Sequence, residues 1–179
     1  MKKLNVQILL TFSLCVLLSL GCVSCNAKEK SPKRQLFSQI DSLMKVSIGD
    51  SISTIIYQAK QVTAERINIK NDTLSVIKKR KLDAEELSIL RFLMASSEKY
   101  VGNAVVFGNF SPNVRFSFET KKAKCVVLMD FGLKQAIIKD ETDREVAKFG
   151  LTDDGFLKFV NVLYPNDKFL NFLLKQQYQ

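Results

Sequence analysis

The sequence predicts an α+β fold, a single small domain in which an antiparallel β-meander packs with several amphipathic helices. Helical and extended patterns occur in separate local runs and do not alternate as β-α-β units. The composition, 46% hydrophobic and 25% charged, is typical of a folded globular chain. No internal repeat and no second core is visible in the sequence. We therefore expect one domain over residues 36–179.

The first predicted helix follows Ser31 and Pro32, a capping side chain and a residue whose φ is already helical. It is expected to end near Val46, before Gly49. Its apolar positions recur at helical spacing: Leu36, Phe37, Ile40, Leu43 and Met44.

Residues 50–81 give two competing patterns. SISTIIYQ is rich in β-branched residues, ERINIK alternates, and LSVIKK resumes an extended pattern after a turn signal at Asn71 and Asp72. We expect two or three strands here. The alternative for the first part is a helix, because apolar side chains there also recur at helical spacing: Ile52, Ile55, Ile56 and Ala59.

The clearest helical pattern is LDAEELSILRFLMASSEKYV. Asp83 and Glu86 have the spacing of a capping box, and the acidic residues gather at the positive end of the helix dipole. One face of the predicted helix is apolar: Leu87, Leu90, Leu93, Met94 and Val101.

Three strands are expected next. VRFSF alternates between apolar and polar residues after Phe110-Ser-Pro, and CVVLMDF is a nearly continuous apolar run. Such a run predicts a central strand that is covered on both faces. Gly132 interrupts it, and KQAIIKD forms the next short strand. Short connections between the three strands predict a meander.

The last part of the chain is predicted to be helical. Thr152 can cap a helix from Asp153 to Tyr164, and Pro165 ends it. Asn166 is expected to cap a final helix. That helix carries four apolar residues: Phe169, Leu170, Leu173 and Leu174.

The N-terminal residues have the pattern of an export signal. Lys2 and Lys3 precede thirteen uncharged residues from Ile8 to Leu20. A helix that crosses a bilayer needs about 20 apolar residues, so this run suits the apolar region of a secretory signal. We expect residues 1–21 to be a signal peptide and residues 22–35 to be a polar tether.

The stretch LSLGC resembles the lipobox of bacterial lipoprotein precursors, with Gly21 before the cleavage position and Ser19 where that family usually has leucine. The resemblance implies cleavage before Cys22 and acylation of its sulfur. Cys25, which follows Ser24, is the alternative acceptor. The product would be anchored in the bacterial cell envelope, at the outer membrane or facing the periplasm. Two further alternatives are ordinary secretion, with cleavage before Lys28, and an uncut membrane anchor.

Several classes of activity are excluded or disfavoured. The chain has no histidine, which rules out Ser-His-Asp and Cys-His nucleophiles. Cys22 and Cys25 lack the partners of a four-ligand zinc site. No glycine-rich nucleotide motif is present, and Asp130-Phe131-Gly132 matches the kinase DFG triplet without its other motifs. We therefore expect no catalytic residue, no cofactor and no metal.

The net charge of +9 suits an anionic partner, but the lysines are spread along the chain. We interpret the densest cluster, at residues 78–81, as a solvated strand end. Contact of this cluster with anionic lipid or surface sugar is the alternative. Nucleic acid is not expected, because no aromatic pattern accompanies the charge.

Two acidic clusters could serve glycan hydrolysis or calcium binding, but they fit a turn and a helix start better. They are Asp140, Glu141, Asp143 and Glu145, and Asp153 with Asp154. Cys125, inside an apolar strand, is expected to be buried. The burial of four phenylalanines is undetermined, and an exposed subset would indicate a partner surface: Phe107, Phe110, Phe169 and Phe172.

Three Asp-Ser/Thr-apolar triplets resemble the short O-glycosylation site of some Gram-negative envelope proteins. They begin at Asp41, Asp50 and Asp72.

These observations predict a membrane-tethered envelope lipoprotein that binds another protein or an envelope component without catalysis. An immunity protein against an exported toxin and an accessory subunit of an envelope machine would both have this appearance. The alternatives are a small hydrolase that uses carboxylates alone and a basic domain that contacts anionic lipid.

Overall fold

The computed structural model describes residues 48–70, 73–95, 108–151 and 154–176. Within these ranges it has a six-stranded antiparallel sheet and four helices, which confirms the predicted α+β class. In chain order the elements are α1 (Asp50–Gln58), β1 (Gln61–Lys70), β2 (Thr73–Lys81), α2 (Ala84–Met94), β3 (Val114–Glu119), β4 (Lys124–Asp130), β5 (Gln135–Asp140), β6 (Glu145–Gly150), α3 (Gly155–Leu163) and α4 (Lys168–Gln176). The helix predicted over residues 32–46 lies outside the described ranges.

The strands lie in the order β2-β1-β3-β4-β5-β6, and every neighbouring pair is antiparallel. Strands β3 to β6 form the expected meander, which is one strand longer than the sequence predicts. The additional strand, β6, was missed because its burial does not alternate cleanly and charged residues interrupt it. The β1–β2 hairpin extends the sheet, and α2 connects β2 at the edge to β3 beyond β1.

The prediction of a strand at the start of residues 50–81 is wrong, and the alternative helix is correct. In α1, Ile52, Ile55 and Ile56 are buried on one side of the helix. Burial of this apolar stripe outweighs the weak preference of β-branched residues for strands. The other two expected strands are confirmed as β1 and β2, which pair from Lys70 with Thr73 onward.

One face of the sheet forms the core with the helices. Its central row runs across five strands through Ala64, Phe116, Val127, Ile138 and Ala147. The ring of Phe116 packs at 6.2 Å from that of Phe159 on α3, between ring centroids. This face therefore buries most of the apolar surface of the fold.

Strand β4 lies at the centre of the sheet as predicted, but it is not equally covered on both faces. Cys125, Val127 and Met129 are fully buried on the side of the helices, whereas Val126 and Leu128 on the other side are half-buried. A continuous apolar run cannot distinguish full cover from partial cover, because both tolerate valine and leucine.

The helix starts agree with the sequence at α2 and differ at α3 and α4. Asp83 and Glu86 form the predicted capping box, with N···O distances of 2.8 and 3.0 Å. Helix α3 begins after Asp154, without a side-chain cap, and Thr152 lies outside the described residues. At α4, Asp167 replaces the expected Asn166, because its Oδ1 accepts the N–H groups of Phe169 and Leu170 at 3.1 Å.

The same Asp167 forms a buried ion pair with Arg66 on β1. Arg66 Nε lies 3.2 Å from Asp167 Oδ2, and their side chains are 7% and 9% exposed. The guanidinium also donates to the carbonyls of Ile67 and Asn113 and lies 4.9 Å from the centre of the Phe169 ring. Arg66 therefore joins the sheet to α4.

In the part of the chain that the structure describes, no helix is long and apolar enough to cross a membrane.

Replacing Asp167 by asparagine tests this junction. Asparagine also caps helices well, so D167N removes the charge while it keeps a capping oxygen. We expect the free energy of unfolding to fall by about 3 kcal/mol, because Arg66 remains buried without its counter-ion. Urea denaturation measures the loss. The matched control is D143N, whose side chain is 84% exposed and pairs with Lys139. A loss no larger than that of D143N would show that the ion pair contributes little.

Candidate binding site

A cleft lined by lysines lies at the end of the sheet where β1 begins and β3 turns into β4. Its volume is about 610 Å³. Pairing of Gln61 with Glu119 brings the two segments together. The cleft is lined by Gln58, Lys60, Gln61, Glu119, Thr120, Lys121 and Lys122. We refer to it as the lysine cleft.

The β3–β4 turn holds two of these lysines in place. Thr120 Oγ1 accepts the backbone N–H groups of Lys122 and Ala123, at 3.3 and 3.0 Å. The same hydroxyl donates to the Ala123 carbonyl at 2.9 Å. Because these bonds close the turn locally, the chain positions of Lys121 and Lys122 at the rim of the cleft are well defined.

Lys81, at the end of β2, and Lys124, at the start of β4, lie at the same end of the sheet. With the three lysines of the cleft they make five exposed cations, none of which has an ion pair within the described ranges. Glu119 is the one carboxylate among the residues that line the cleft. This end of the sheet therefore attracts anions.

The basic cluster that stands out in the sequence is partly neutralised. Lys79 Nζ lies 3.2 Å from Glu65, and Arg80 makes contacts of 2.6 and 2.8 Å with the carboxylate of Glu86. Residues 78–81 do form a solvated strand end, as expected. The lysine cleft was missed, because its lysines come from segments that are far apart in sequence.

A second groove of about 690 Å³ shares Gln58 and Lys60 with the cleft and runs between α1 and α2. Arg91 lines it and donates to the carbonyls of Ile56 and Ala59 at 3.0 and 2.6 Å. Burial lowers the pKa of Arg91 from its ordinary value, although the nearby Tyr57 opposes this effect. The guanidinium neutralises the C-terminal end of α1, so its role in this groove is structural.

The first acidic cluster forms a turn between β5 and β6, as expected. Asp140 Oδ1 accepts from the hydroxyl and the N–H of Thr142 and from the N–H of Arg144. The hydrogen bond from the Thr142 side chain is the main reason that the pKa of Asp140 is lowered. Asp143 pairs with Lys139 at 3.0 Å.

Of the second acidic cluster, Asp154 lies at the start of α3, where it pairs with Lys158, and Asp153 lies outside the described residues. Among the residues that the structure describes, no three or more His, Cys, Asp or Glu side chains are grouped so as to hold a metal ion.

Asp130, the first residue of the DFG triplet, also has a structural role. It is 3% exposed, and its carboxylate accepts the N–H groups of Ser111, Gly132 and Leu133 at 2.7–3.0 Å. These bonds close the β4–β5 turn and attach the segment before β3 to it. The triplet is therefore a strand end followed by a turn, as the sequence indicates.

Glu65 is a buried carboxylate that sequence reasoning missed. Its side chain is 5% exposed and contacts Arg115 Nε on β3 and Lys79 on β2. Burial raises the pKa of Glu65, but the hydrogen bonds and charges of Arg115 and Lys79 outweigh this effect and hold the pKa below its ordinary value. Glu65 therefore ties three strands together as an ionised group.

Cys125 is buried, as predicted. Burial raises the pKa of its thiol to about 12. Thiol chemistry requires the thiolate, so Cys125 contributes packing and not reactivity.

The phenylalanines of undetermined burial fall into different environments. Phe110 is half-buried, whereas Phe169 and Phe172 on α4 are 38% and 55% exposed. Phe107 lies outside the described residues, as do Cys22, Cys25 and the triplet at Asp41. The acceptors of the other two triplets, Ser51 and Thr73, are exposed.

Replacing Glu65 by glutamine tests its charged contacts. Since the pKa of Glu65 is lower in the folded chain than its ordinary value of 4.5, its contribution to stability is present above pH 4.5. The contribution is lost as the pH falls through the folded-state value. We expect E65Q to be less stable than the unmodified chain by about 1.5 kcal/mol at pH 7, and this difference to shrink below pH 4.5. Urea denaturation at several pH values measures it.

The control for this experiment is E141Q, which changes an exposed glutamate in the β5–β6 turn. Its stability should follow that of the unmodified chain at every pH. A difference between E65Q and the unmodified chain that stays constant down to pH 3 would contradict an ionised Glu65.

Searches with protein-family models, among curated proteins and among solved structures find no match to this chain.

Proposed function

We propose that the chain is a bacterial envelope lipoprotein, anchored through acylated Cys22, whose domain binds a partner and catalyses no reaction. The partner is an acidic envelope protein or another anionic envelope component. It is recognised by the lysine cleft. The anchor keeps the domain at the membrane, and the cleft supplies the contact with the partner.

The observation that carries this proposal is which charged side chains are paired and which are not. The buried carboxylates Glu65, Asp130 and Asp167 are held by structural partners. By contrast, the five lysines at the cleft end of the sheet have no ion pair within the described ranges. A catalytic acid and base need carboxylates that are accessible in a cleft and not held by structural partners.

The shape of this region supports binding over catalysis. The lysine cleft is a surface depression with three lysines and two glutamines among its seven lining residues. An anionic surface can bind against such a region with both shape and charge complementarity.

Hydrolysis by two carboxylates is the second candidate, and the described cavities do not favour it. Each cavity has one carboxylate, Glu119 in the cleft and Asp83 in the groove. Asp83 is engaged in the capping box of α2. Sugar hydrolysis needs two carboxyl groups that face each other across about 5–10 Å.

The anchor rests on the sequence. The uncharged run from Ile8 to Leu20 is shorter than a typical transmembrane helix. Gly21 and Cys22 follow it directly. A diacylglyceryl group with a further acyl chain is sufficient for stable anchoring. A fully extended tether over residues 22–35 would reach about 45–50 Å from the membrane.

Replacing Cys22 by serine tests the anchor. We expect C22S to lose palmitate labelling and to leave the membrane fraction, because the acyl chains attach to this sulfur. Metabolic labelling and membrane fractionation measure the two effects. The matched control is C25S, which should be labelled and membrane-bound like the unmodified protein. Loss of labelling in C25S and not in C22S would assign the lipid to Cys25. Labelling of neither cysteine would overturn the anchor.

Neutralising the lysine cleft tests the recognition surface. We expect K60Q/K121Q/K122Q to recover at least about tenfold less of the partner from an envelope extract than the unmodified protein, since three attractive charges are removed. Quantitative mass spectrometry of the bound proteins and glycans measures the recovery.

The control K70Q/K134Q/K148Q removes the same charge from exposed lysines outside the cleft and should bind nearly normally. Equal losses in the two triple variants would mean that net charge, and not the cleft, determines binding. Turnover of an envelope glycan by the pure protein would instead favour the hydrolase.

A further inference from the structure

Helices α3 and α4 carry an exposed apolar surface that neither the core nor the lysine cleft uses. Val162 on α3 is 72% exposed, and Phe172 and Phe169 on α4 are 55% and 38% exposed. We refer to these three residues as the apolar ridge. Large apolar side chains that stay in water cost free energy, so a group of them on one hairpin indicates a contact surface.

A side-chain hydrogen bond joins the two helices next to Val162 and Phe172. Asn161 Nδ2 donates to Asn171 Oδ1 at 2.7 Å. Val162 and Phe172 each follow one of these asparagines directly. Phe169 lies one helical turn before Phe172 on α4, so the two rings share a face.

The ridge is also rigidly held. Asp167 caps α4 and pairs with Arg66, and the Phe169 ring packs under the same guanidinium. A second bond from Asn171, to the carbonyl of Pro165 at 3.0 Å, fixes the connection between the helices. A preformed surface of this kind loses little conformational freedom when it binds.

The charges that surround the ridge are positive. Lys168 and Lys175 are exposed, lie four residues before and three residues after Phe172, and have no ion pair within the described ranges. The two acidic residues described in this hairpin are engaged, Asp154 with Lys158 and Asp167 with Arg66. The outer side of α4 therefore combines two aromatic rings with two available cations.

We propose that the apolar ridge docks on the anionic surface of the membrane. The rings of Phe169 and Phe172 and the side chain of Val162 enter the boundary between headgroups and acyl chains. Lys168 and Lys175 contact the lipid phosphates. Aromatic side chains flanked by lysines on an exposed helix face are the pattern of interfacial binding.

The size of the ridge favours a membrane over a protein partner. A stable protein interface buries about 800 Å² on each side, with a packed apolar centre. Three side chains bury less than that area, but they suffice for a weak contact. A tether strengthens such a contact because it raises the effective concentration of the domain at the membrane. The docking rests on the proposed anchor for its affinity, while the contact itself involves only the ridge, Lys168 and Lys175.

A tryptophan at position 172 tests the docking, because the chain contains no tryptophan of its own. The full-length chain carrying F172W is mixed with vesicles that contain about 30% phosphatidylglycerol and brominated acyl chains. We expect its fluorescence to shift to shorter wavelength and to be quenched about twofold or more, since the indole enters the bilayer interface. Vesicles of phosphatidylcholine alone should quench less, as should F172W combined with K168Q/K175Q.

The matched control is F92W, which places the indole on α2 at a site that is 57% exposed. The control should be quenched clearly less than F172W on the same vesicles. Circular dichroism verifies that both variants are folded. Equal quenching of the two variants would overturn the assignment to the ridge. A shift of F172W emission that needs an envelope protein, and not lipid, would overturn the membrane as the partner.

The outcome can be separated from that of the proposed anchor. Flotation with vesicles reports attachment of the whole chain, whereas bromine quenching reports the depth of position 172. Flotation without quenching would leave the anchor in place and reject the docking. Quenching of F172W in a chain that also carries C22S would support the docking even where labelling had rejected Cys22 as the anchor.

Discussion

The buried ion pair between Arg66 and Asp167 is the contact on which the arrangement of the fold depends. It joins the sheet to the C-terminal helical hairpin, and the same aspartate begins α4 by accepting two backbone N–H groups. An arginine this deeply buried must be paired and fully bonded, because an isolated charge away from water is strongly unfavourable. Arg66 meets this requirement with one carboxylate and two carbonyls, which leaves few other positions that α4 can adopt.

Acidic and basic side chains differ in how often they are paired in the described ranges. Acidic side chains cap helices, close turns and link strands, as Asp83, Asp140 and Glu65 do. Fewer lysines form ion pairs in the described ranges. Five unpaired lysines lie at the end of the sheet where β1 and β4 begin and β2 and β3 end. The described part of the chain therefore combines paired acidic side chains with a group of exposed lysines that have no ion pair there. The apolar ridge adds a second exposed surface with different chemistry.

The fold could be predicted where local signals and burial agree. The capping box and apolar stripe of α2 and the alternation of β3 needed no tertiary information. The helix α1 was misjudged, because its isoleucines satisfy both a strand preference and a helical spacing. The choice between them depends on which face meets the core. Strand β6 was missed because an edge strand with charged residues has a weak sequence pattern. Its backbone hydrogen bonds to β5 stabilise it as a strand. Helix α4 begins at Lys168 and is capped by Asp167, one residue beyond the best local candidate, and the same carboxylate pairs with Arg66.

The sequence by itself determined the fold class, the strands β1 to β5, the burial of Cys125 and the absence of histidine-based chemistry. These properties follow from composition and from periodicities of a few residues. Only the tertiary structure decided the pairing of Arg66 with a carboxylate 101 residues away, the burial of Glu65, the lysine cleft and the apolar ridge. Each of these joins residues from separate elements. No local pattern records such contacts, since they exist only after strand register and helix packing have brought the elements together.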